Sequence, residues 1–475
     1  MKNKKLKILI GAAELNPIAK AGGLGDVVGA LPKVLIDLNC DVKAILPFYG
    51  FIDTKKYKTV LVKKNISIKY GERNEKVDLW ETEINNFKVF LIKNRFFSSK
   101  EIYSGERVLL NGKYTRNFTD IEKFAFFSIA LLECLKAIDW RPDVIHCNDW
   151  HLGLVPRLLK EKYASDNFFL NTKTLYTIHN LANQGITDSS ILKNLGIARI
   201  DKVKVNLMSE GISSSDLINT VSPSYAKEIL KKDQGAGLDK ILLKREADLS
   251  GIINGIDIDF FNPDTDRFIK QYSLKNIENK QLNKLVLQKM VGLEQNKSAP
   301  LIGLISRFVN QKGINLITDK FKNLDCQFIF LGTGQKDIEN QLLTLSSKFP
   351  HKFSAQIKFD VGLAQQIYAG SDIFLMPSLF EPCGLGQMIA MRYGTVPVVR
   401  ATGGLIDTVD SQVGFSFKKY DSNVLYETLK KAIEVYHKRP NDWKKLQANG
   451  MKKDFSWNKS AKEYIKLYNK LANIK

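Results

Sequence analysis

The chain has 475 residues, 44% hydrophobic and 25% charged, ordinary proportions for a soluble globular protein of two or three domains. Its net charge of +21 favours anionic partners such as nucleotide phosphates, nucleic acid or a membrane surface. The lysines are scattered, however, and no dense basic block with interleaved aromatics marks a nucleic-acid binder, which would bind DNA salt-sensitively. Cys40, Cys134, Cys147, Cys326 and Cys383 are widely spaced with no CxxC pair, which argues against a disulfide framework and for a reducing compartment.

The start, MKNKKLKILIGAAELNP, imitates a secretory signal, but Lys7 interrupts the apolar run and Glu14 follows soon after. It reads as a buried first strand over 6–12, and the expected location is the cytoplasm. No later apolar run is long enough to span a bilayer. AKAGGLGDVVGA (19–30) then leads into a helix through Leu31, Val34, Leu35 and Leu38. Further strands are expected at 42–47, 88–92, 143–147, 173–178 and 216–221, with mixed strands and loops inserted at 51–120. A second series follows at 300–305, 326–331, 372–376 and 396–399. Short apolar runs alternating with helical segments predict an α/β fold of two Rossmann-like domains with parallel sheets. The Gly-, Asn-, Asp- and Pro-rich stretch between them reads as a hinge. The expected division is 1–253, a hinge over 254–266, 267–454, and a terminal helix over 455–475 with Trp457, Tyr464, Ile465 and Tyr468 as its apolar stripe.

Open α/β sheets bind ligands beyond the carboxyl ends of their strands. The residues found there are Glu14, Lys20, Gly22 and Gly23; Asn148, Asp149 and His151; and His179 and Asn180, with Asn254 near the hinge. In the second series they are Arg307 and Lys312, then Gly332 and Gly334, then Glu381, Cys383, Gly384 and Leu385. Paired glycines let backbone N–H groups approach an anion at a helix N-terminus, and Lys20, Arg307 and Lys312 add full charges. Such a set is suited to holding a diphosphate and stabilising it as it leaves, with no metal required.

Each residue also has a plainer reading. The glycines at 22, 23 and 25 suit a tight strand-to-helix turn, Gly332 and Gly334 a close packing, His179 a satisfied core position and Cys383 a small packing residue. His146, Cys147, Asp149 and His151 lie close in sequence, but histidines five apart across a strand end do not obviously converge on a metal. Gly23, Gly25 and Gly29 imitate a dinucleotide fingerprint. There the glycines follow the strand directly, whereas here roughly ten residues intervene, and Asp41 precedes its strand rather than following it.

Ordered motifs then give a resemblance: KAGGLGDV (20–27), HCNDWHLG (146–153), TIHNLANQG (177–185), NGID (254–257), SRFVNQKG (306–313), FEPCGLGQ (380–387) and GTVPVVRATGGLIDTV (394–409). The chain resembles the bacterial and plant glycogen/starch synthases that use ADP-glucose, from about Lys7 to its end, most weakly over 51–120. The resemblance implies a GT-B glycosyltransferase fold with its active site in an interdomain cleft and a last helix returning to the first domain. It also implies glucose transfer from ADP-glucose, a co-substrate, to the non-reducing end of an α-1,4-glucan such as glycogen, with retention and no cofactor. On that resemblance Lys20, with Gly22 and Gly23, binds the donor diphosphate or glucose, and Arg307 and Lys312 hold the phosphates. His179 lines the reacting centre, Asp149 and Asn254 contact glucose hydroxyls, and Glu381 binds the far side of the glucose. Cys383, Gly384 and Leu385 complete that loop, Gly332 and Gly334 belong to the donor pocket, and Glu14 assists the acceptor. Ile389 stands where many related retaining transferases carry a second glutamate, which the glycogen synthase subgroup also lacks, and Ala21 replaces a frequent Thr or Val. The same fold using UDP-glucose or another acceptor, and a glucan- or nucleotide-binding protein without turnover, are the alternatives.

Overall fold

The computed structural model describes residues 5–103, 119–197 and 203–473, with the backbone of 109–110 and 113–114 besides. Part of the inserted stretch expected at 51–120 therefore lies outside the described residues. The chain divides into two compact units, one of residues 1–221, 226–252 and 460–475, the other of 222–225 and 253–459.

The first unit is built on a nine-stranded sheet. Its strands lie in the order Leu249–Gly251, Leu217–Thr220, Lys173–Ile178, Val144–Asn148, Lys7–Gly11, Asp41–Pro47, Phe87–Lys93, Arg73–Ile84 and Val60–Tyr70. Neighbours pair in parallel as far as Phe87–Lys93, and the last two strands are antiparallel. The sheet is therefore mixed rather than wholly parallel. Val144–Asn148 is buried at every residue, as expected of a central strand covered on both faces. Val60–Tyr70 is an edge and carries lysines on its exposed positions, which discourages pairing with another chain.

The terminal helix Trp457–Leu471 begins in the second unit and, from Ser460, belongs to the first. Its buried stripe is Trp457, Ala461, Tyr464, Tyr468 and Leu471, a 3.6-residue period, with Ile465 only partly covered. The Tyr464 hydroxyl accepts from Asn219 Nδ2 at 3.1 Å, and the Tyr468 hydroxyl meets His146 Nδ1 at 2.8 Å. His146 Nε2 meets the Thr177 hydroxyl at 2.7 Å, so both ring nitrogens are engaged in hydrogen bonds that tie the helix to the sheet rather than facing a metal. Tyr468→Phe strands a buried imidazole nitrogen and is expected to destabilise the chain by about 1–3 kcal/mol, read as a lower urea midpoint at unchanged slope.

The second unit holds a six-stranded sheet, parallel throughout, in the order Phe353–Ile357, Gln327–Gly332, Leu301–Ile305, Ile373–Met376, Val396–Arg400 and Phe415–Phe417. Ile302, Leu304, Phe328 and Phe330 enter one apolar core, while Leu301, Ile329 and Leu331 enter another. That alternation is what a sheet covered on both faces requires. The stretch read as a hinge, 254–266, is packed into this unit. Arg392 donates to the carbonyls of Ile258 and Phe261, Gln365 to that of Phe260, and the Tyr393 hydroxyl to Asp266. Three of its backbone carbonyls and the Asp266 carboxylate are thereby held by side chains of this unit.

Candidate active site

In the first unit the chain leaves Lys7–Gly11 and doubles back through paired backbone bonds between Leu15 and Ala19, 2.7 and 2.8 Å. This lays Lys20–Gly22 over the buried Glu14. Glu14 Oε2 accepts from the N–H groups of Ala21 (2.8 Å) and Gly22 (2.6 Å), and Oε1 accepts from the Tyr103 hydroxyl at 2.7 Å. Burial and the Glu14 charge push the Tyr103 phenol far above its ordinary value, so it stays a donor at any working pH. Of the paired glycines expected to face an anion, Gly22 thus has its N–H held by the protein's own carboxylate. Gly22 caps the helix Gly23–Asp37 with no side-chain cap, and a Cβ at Gly23 would meet open space. Gly29 is needed for packing, since its Cβ would lie 2.4 Å from the Asn16 carbonyl oxygen. Lys20 is exposed and pairs with Asp26 in the helix's first turn at 2.7 Å.

Asp149 follows Val144–Asn148 with φ +54° and ψ −175°, a left-handed extended conformation that side chains avoid and that strains the backbone. Its Oδ1 accepts from His179 N–H at 2.7 Å. Burial pushes the Asp149 carboxyl up to about 7, with the Glu14 charge acting the same way against the N–H groups of His179 and Asn180. Asn148 Nδ2 donates to the Gly11 carbonyl at 2.9 Å, so its Oδ1 faces His179 Nε2, also at 2.9 Å. His179 therefore carries its proton on Nε2, leaving Nδ1 as an acceptor. Burial holds that imidazole down to about 3, so it is neutral at physiological pH. His151 is buried against Trp150, Phe124 and Tyr103.

In the second unit Arg307 follows Leu301–Ile305, is exposed, and has no hydrogen-bond or ion-pair partner for its guanidinium among the described residues. The glycines opposite explain how this segment lies: a Cβ at Gly332 would fall 1.8 Å from the Ser306 oxygen, and one at Gly334 2.1 Å from the Phe308 oxygen. They permit close approach of the Arg307 segment, the packing role that their residue type alone left open. Gly334 N–H donates to Glu339 Oε1 at 2.9 Å.

Lys312 ends a short turn and is followed by Gly313 at φ +69°, whose Cβ would lie 2.0 Å from the Pro377 oxygen. The close approach laces two segments together. Leu379 N–H donates to the Gln311 carbonyl at 2.8 Å, Gln311 Nε2 to the Phe380 carbonyl at 3.2 Å, and Lys312 Nζ pairs with Glu381 Oε2 at 2.6 Å. The Ser378 hydroxyl reaches the same carboxylate oxygen at 3.0 Å. Beyond it, Gln387 Nε2 donates to the carbonyls of Cys383 (3.2 Å) and Gly384 (2.9 Å), fixing the turn in which Gly384 takes φ +72°. Leu385, partly exposed, caps the helix Gly386–Arg392. Burial raises the Cys383 thiol to about 12, so it is no nucleophile at neutral pH. Asn254 N–H lies against that sulfur, and the buried Asn254 Oδ1 has no partner among the described residues.

One residue at this mouth escaped sequence reasoning. Phe359 follows Phe353–Ile357 and is 86% exposed, an unusual place for a phenyl ring. Its signal was an aromatic in a turn after a strand, but that strand itself had not been recognised.

Two α/β units, each built on a largely parallel sheet with charged side chains after its strands, are the architecture of a GT-B glycosyltransferase. Residues 7–244 match the starch synthase catalytic domain, and 288–449 match glycosyl transferases group 1. The glycogen synthase of Thermosipho africanus is 44% identical, the match covering 98% of this chain and 99% of that one. That of Thermotoga maritima is 42% identical with the same shares covered. The catalytic domain of starch synthase IV from Arabidopsis thaliana, solved bound to ADP and acarbose, superposes with a TM-score of 0.88 at 32% identity, covering 99% of this chain and 100% of that one. A sucrose-phosphate synthase from Thermosynechococcus elongatus, at TM-score 0.62 and 16% identity over 99% of this chain and 100% of that one, shares the fold alone. The chain belongs to the glycogen/starch synthase family.

Proposed function

We propose that the chain transfers glucose from ADP-glucose to the non-reducing 4-hydroxyl of an α-1,4-glucan, with retention of configuration. The observation that carries this reading is the exposed Arg307, without a partner among the described residues, on the same strand-end segment as Lys312, whose ammonium is held by Glu381. The starch synthase IV structure, described with ADP and acarbose, supports the nucleotide and the glucan. As the glucose C1–O bond breaks, its electron pair goes to the diphosphate, which Arg307 and Lys312 stabilise. A single donor aimed at developing charge is worth about 3 kcal/mol. The glucan hydroxyl attacks the same face of C1 and passes its proton to the departing phosphate oxygen, so no protein nucleophile is needed. His179, neutral and oriented by Asn148, accepts a hydrogen bond at the reacting sugar rather than donating a proton. Asp149 and the orphaned Asn254 Oδ1 take glucose hydroxyls, Glu381 with the Cys383–Leu385 turn bounds the sugar, and Lys20 with the open N-terminus at Gly23 meets the donor. Glu14 assists the acceptor, and its carboxylate also fixes the Lys20–Gly23 loop on the donor side. No metal or cofactor enters the scheme. A cytoplasmic setting suits five buried, unpaired cysteines.

The test is purified chain with glycogen and either ADP- or UDP-glucose, following nucleoside diphosphate release and growth of chains that an α-1,4-specific exo-glucanase digests. ADP-glucose is expected to be strongly preferred; incorporation only from UDP-glucose, or product resistant to digestion, overturns the reading. Phe359 offers its exposed ring as a platform for the adenine. Phe359→Ala is expected to raise the donor KM about tenfold with kcat little changed, as loss of one stacking face implies.

A further inference from the structure

The helix Asp120–Ala137 buries an almost unbroken run from Lys123 to Leu132, apolar apart from Lys123 and Ser128. A buried ammonium is unfavourable unless protein groups replace its water, and a methionine at that position would need no such replacement. Lys123, only 1% exposed, donates to the Ile102 carbonyl at 2.6 Å and pairs with Asp120 at 2.7 Å. Its ammonium lies 5.8 Å from the Tyr49 ring, whose hydroxyl donates to the Ala13 carbonyl at 2.8 Å, beside Glu14.

The residue after Ile102 is Tyr103. Its ring packs against Phe124 and His151, at 6.4 and 5.5 Å between centroids, and its hydroxyl holds Glu14. Two consecutive helix residues, 123 and 124, thus grip two consecutive loop residues, 102 and 103. The carboxylate that Tyr103 holds in turn fixes the amides of Ala21 and Gly22. A loop with two adjacent glycines has wide backbone freedom, and ordering it before the ligand arrives lowers the entropy lost on binding.

We propose that Lys123 is a positioning residue for the donor-binding loop, acting through Ile102, Tyr103 and Glu14 on the backbone of Ala21 and Gly22. The proposal rests on the reading of Lys20–Gly23 as part of the donor site. Its test compares Lys123→Met, Lys123→Arg and Tyr103→Phe in the full chain by hydrogen exchange and steady-state kinetics. In Lys123→Met and Tyr103→Phe the amides of residues 21 and 22 should exchange about tenfold faster while those of 144–148 keep their rates. Lys123→Arg, which can still donate, should restore most of the protection. The donor KM should rise more than kcat falls, and combining Lys123→Met with Glu14→Gln should do less than the product of the two single effects. Unchanged exchange at 21 and 22, or equal acceleration throughout the unit, overturns the proposal. Tyr103→Phe, lacking one hydroxyl, carries the same test should Lys123→Met not fold. Exchange reads the loop without substrate, so an inactive wild type would count against the assigned reaction and leave this result standing.

Discussion

Replacing Lys312 with alanine is expected to lower turnover with ADP-glucose by roughly a hundredfold to a thousandfold, the loss found when one donor to developing charge is removed. The structure makes this substitution severe for two reasons. Lys312 is fixed by its 2.6 Å contact with Glu381, so the ground state has already met the entropy of holding its long side chain in place. Removing it also leaves the buried Glu381 carboxylate with the Ser378 hydroxyl but without its cation, next to the proposed position of the diphosphate. Lys312→Ala combined with Glu381→Gln removes the stranded charge and should recover part of the stability lost by Lys312→Ala, though not the turnover. The measurements are kcat and kcat/KM for the donor, with the thermal midpoint of each variant. A Lys312→Ala enzyme turning over within about threefold of the parent would remove Lys312 from the chemistry.

The central strands were legible because a parallel strand buried on both faces is a continuous apolar run, as in KILIG, VIHCN and QFIFLG. The strands that escaped notice are edges or their neighbours. Phe353–Ile357 alternates, Phe415–Phe417 and Leu249–Gly251 are three residues each, and Val60–Tyr70 is interrupted by lysines, all reflecting strands with one side towards solvent. The site was legible as a set of polar residues after strands, since topology puts strand ends together whatever the side chains do. Their partners were not. Glu14 meets Tyr103 across 89 positions, Lys312 meets Glu381 across 69, and His146 meets Tyr468 across 322. No periodicity encodes such pairs, because they are set by how whole segments pack. The glycines show the same limit: residue type said that Cβ must be missing at Gly332 and Gly334, and only packing said that the neighbour is the Arg307 segment.

Asp149→Asn is expected to stabilise the chain and at the same time to cost it at least about a hundredfold in turnover, a trade characteristic of groups kept for function. The backbone at φ +54° is one that asparagine tolerates better than most residues, and its amide oxygen can still accept from His179 N–H. What the substitution removes is a buried negative charge. The carboxyl titrates near 3.8 in an unfolded chain and near 7 in the folded one, so the folded state binds its proton more tightly. The favourable contribution of that proton is fully present below pH 3.8 and fades as pH rises towards 7, and above 7 the ionised carboxylate carries a constant penalty. Asparagine escapes the penalty, so the variant should gain about 4 kcal/mol at pH 8 but only about 2 at pH 5, as orders of magnitude. Activity should run the other way. In the proposed reaction the ionised carboxylate, held against the N–H groups of His179 and Asn180, is the form that accepts a glucose hydroxyl, so kcat/KM in the parent should rise with pH through an inflection near 7. That inflection should be missing from the variant's residual activity. Urea unfolding of both proteins at the two pH values and a pH profile of kcat/KM check the two halves separately. Equal stability of parent and variant at pH 8 would show that Asp149 is not desolvated in the folded chain, and with it would go the reason for its strained backbone.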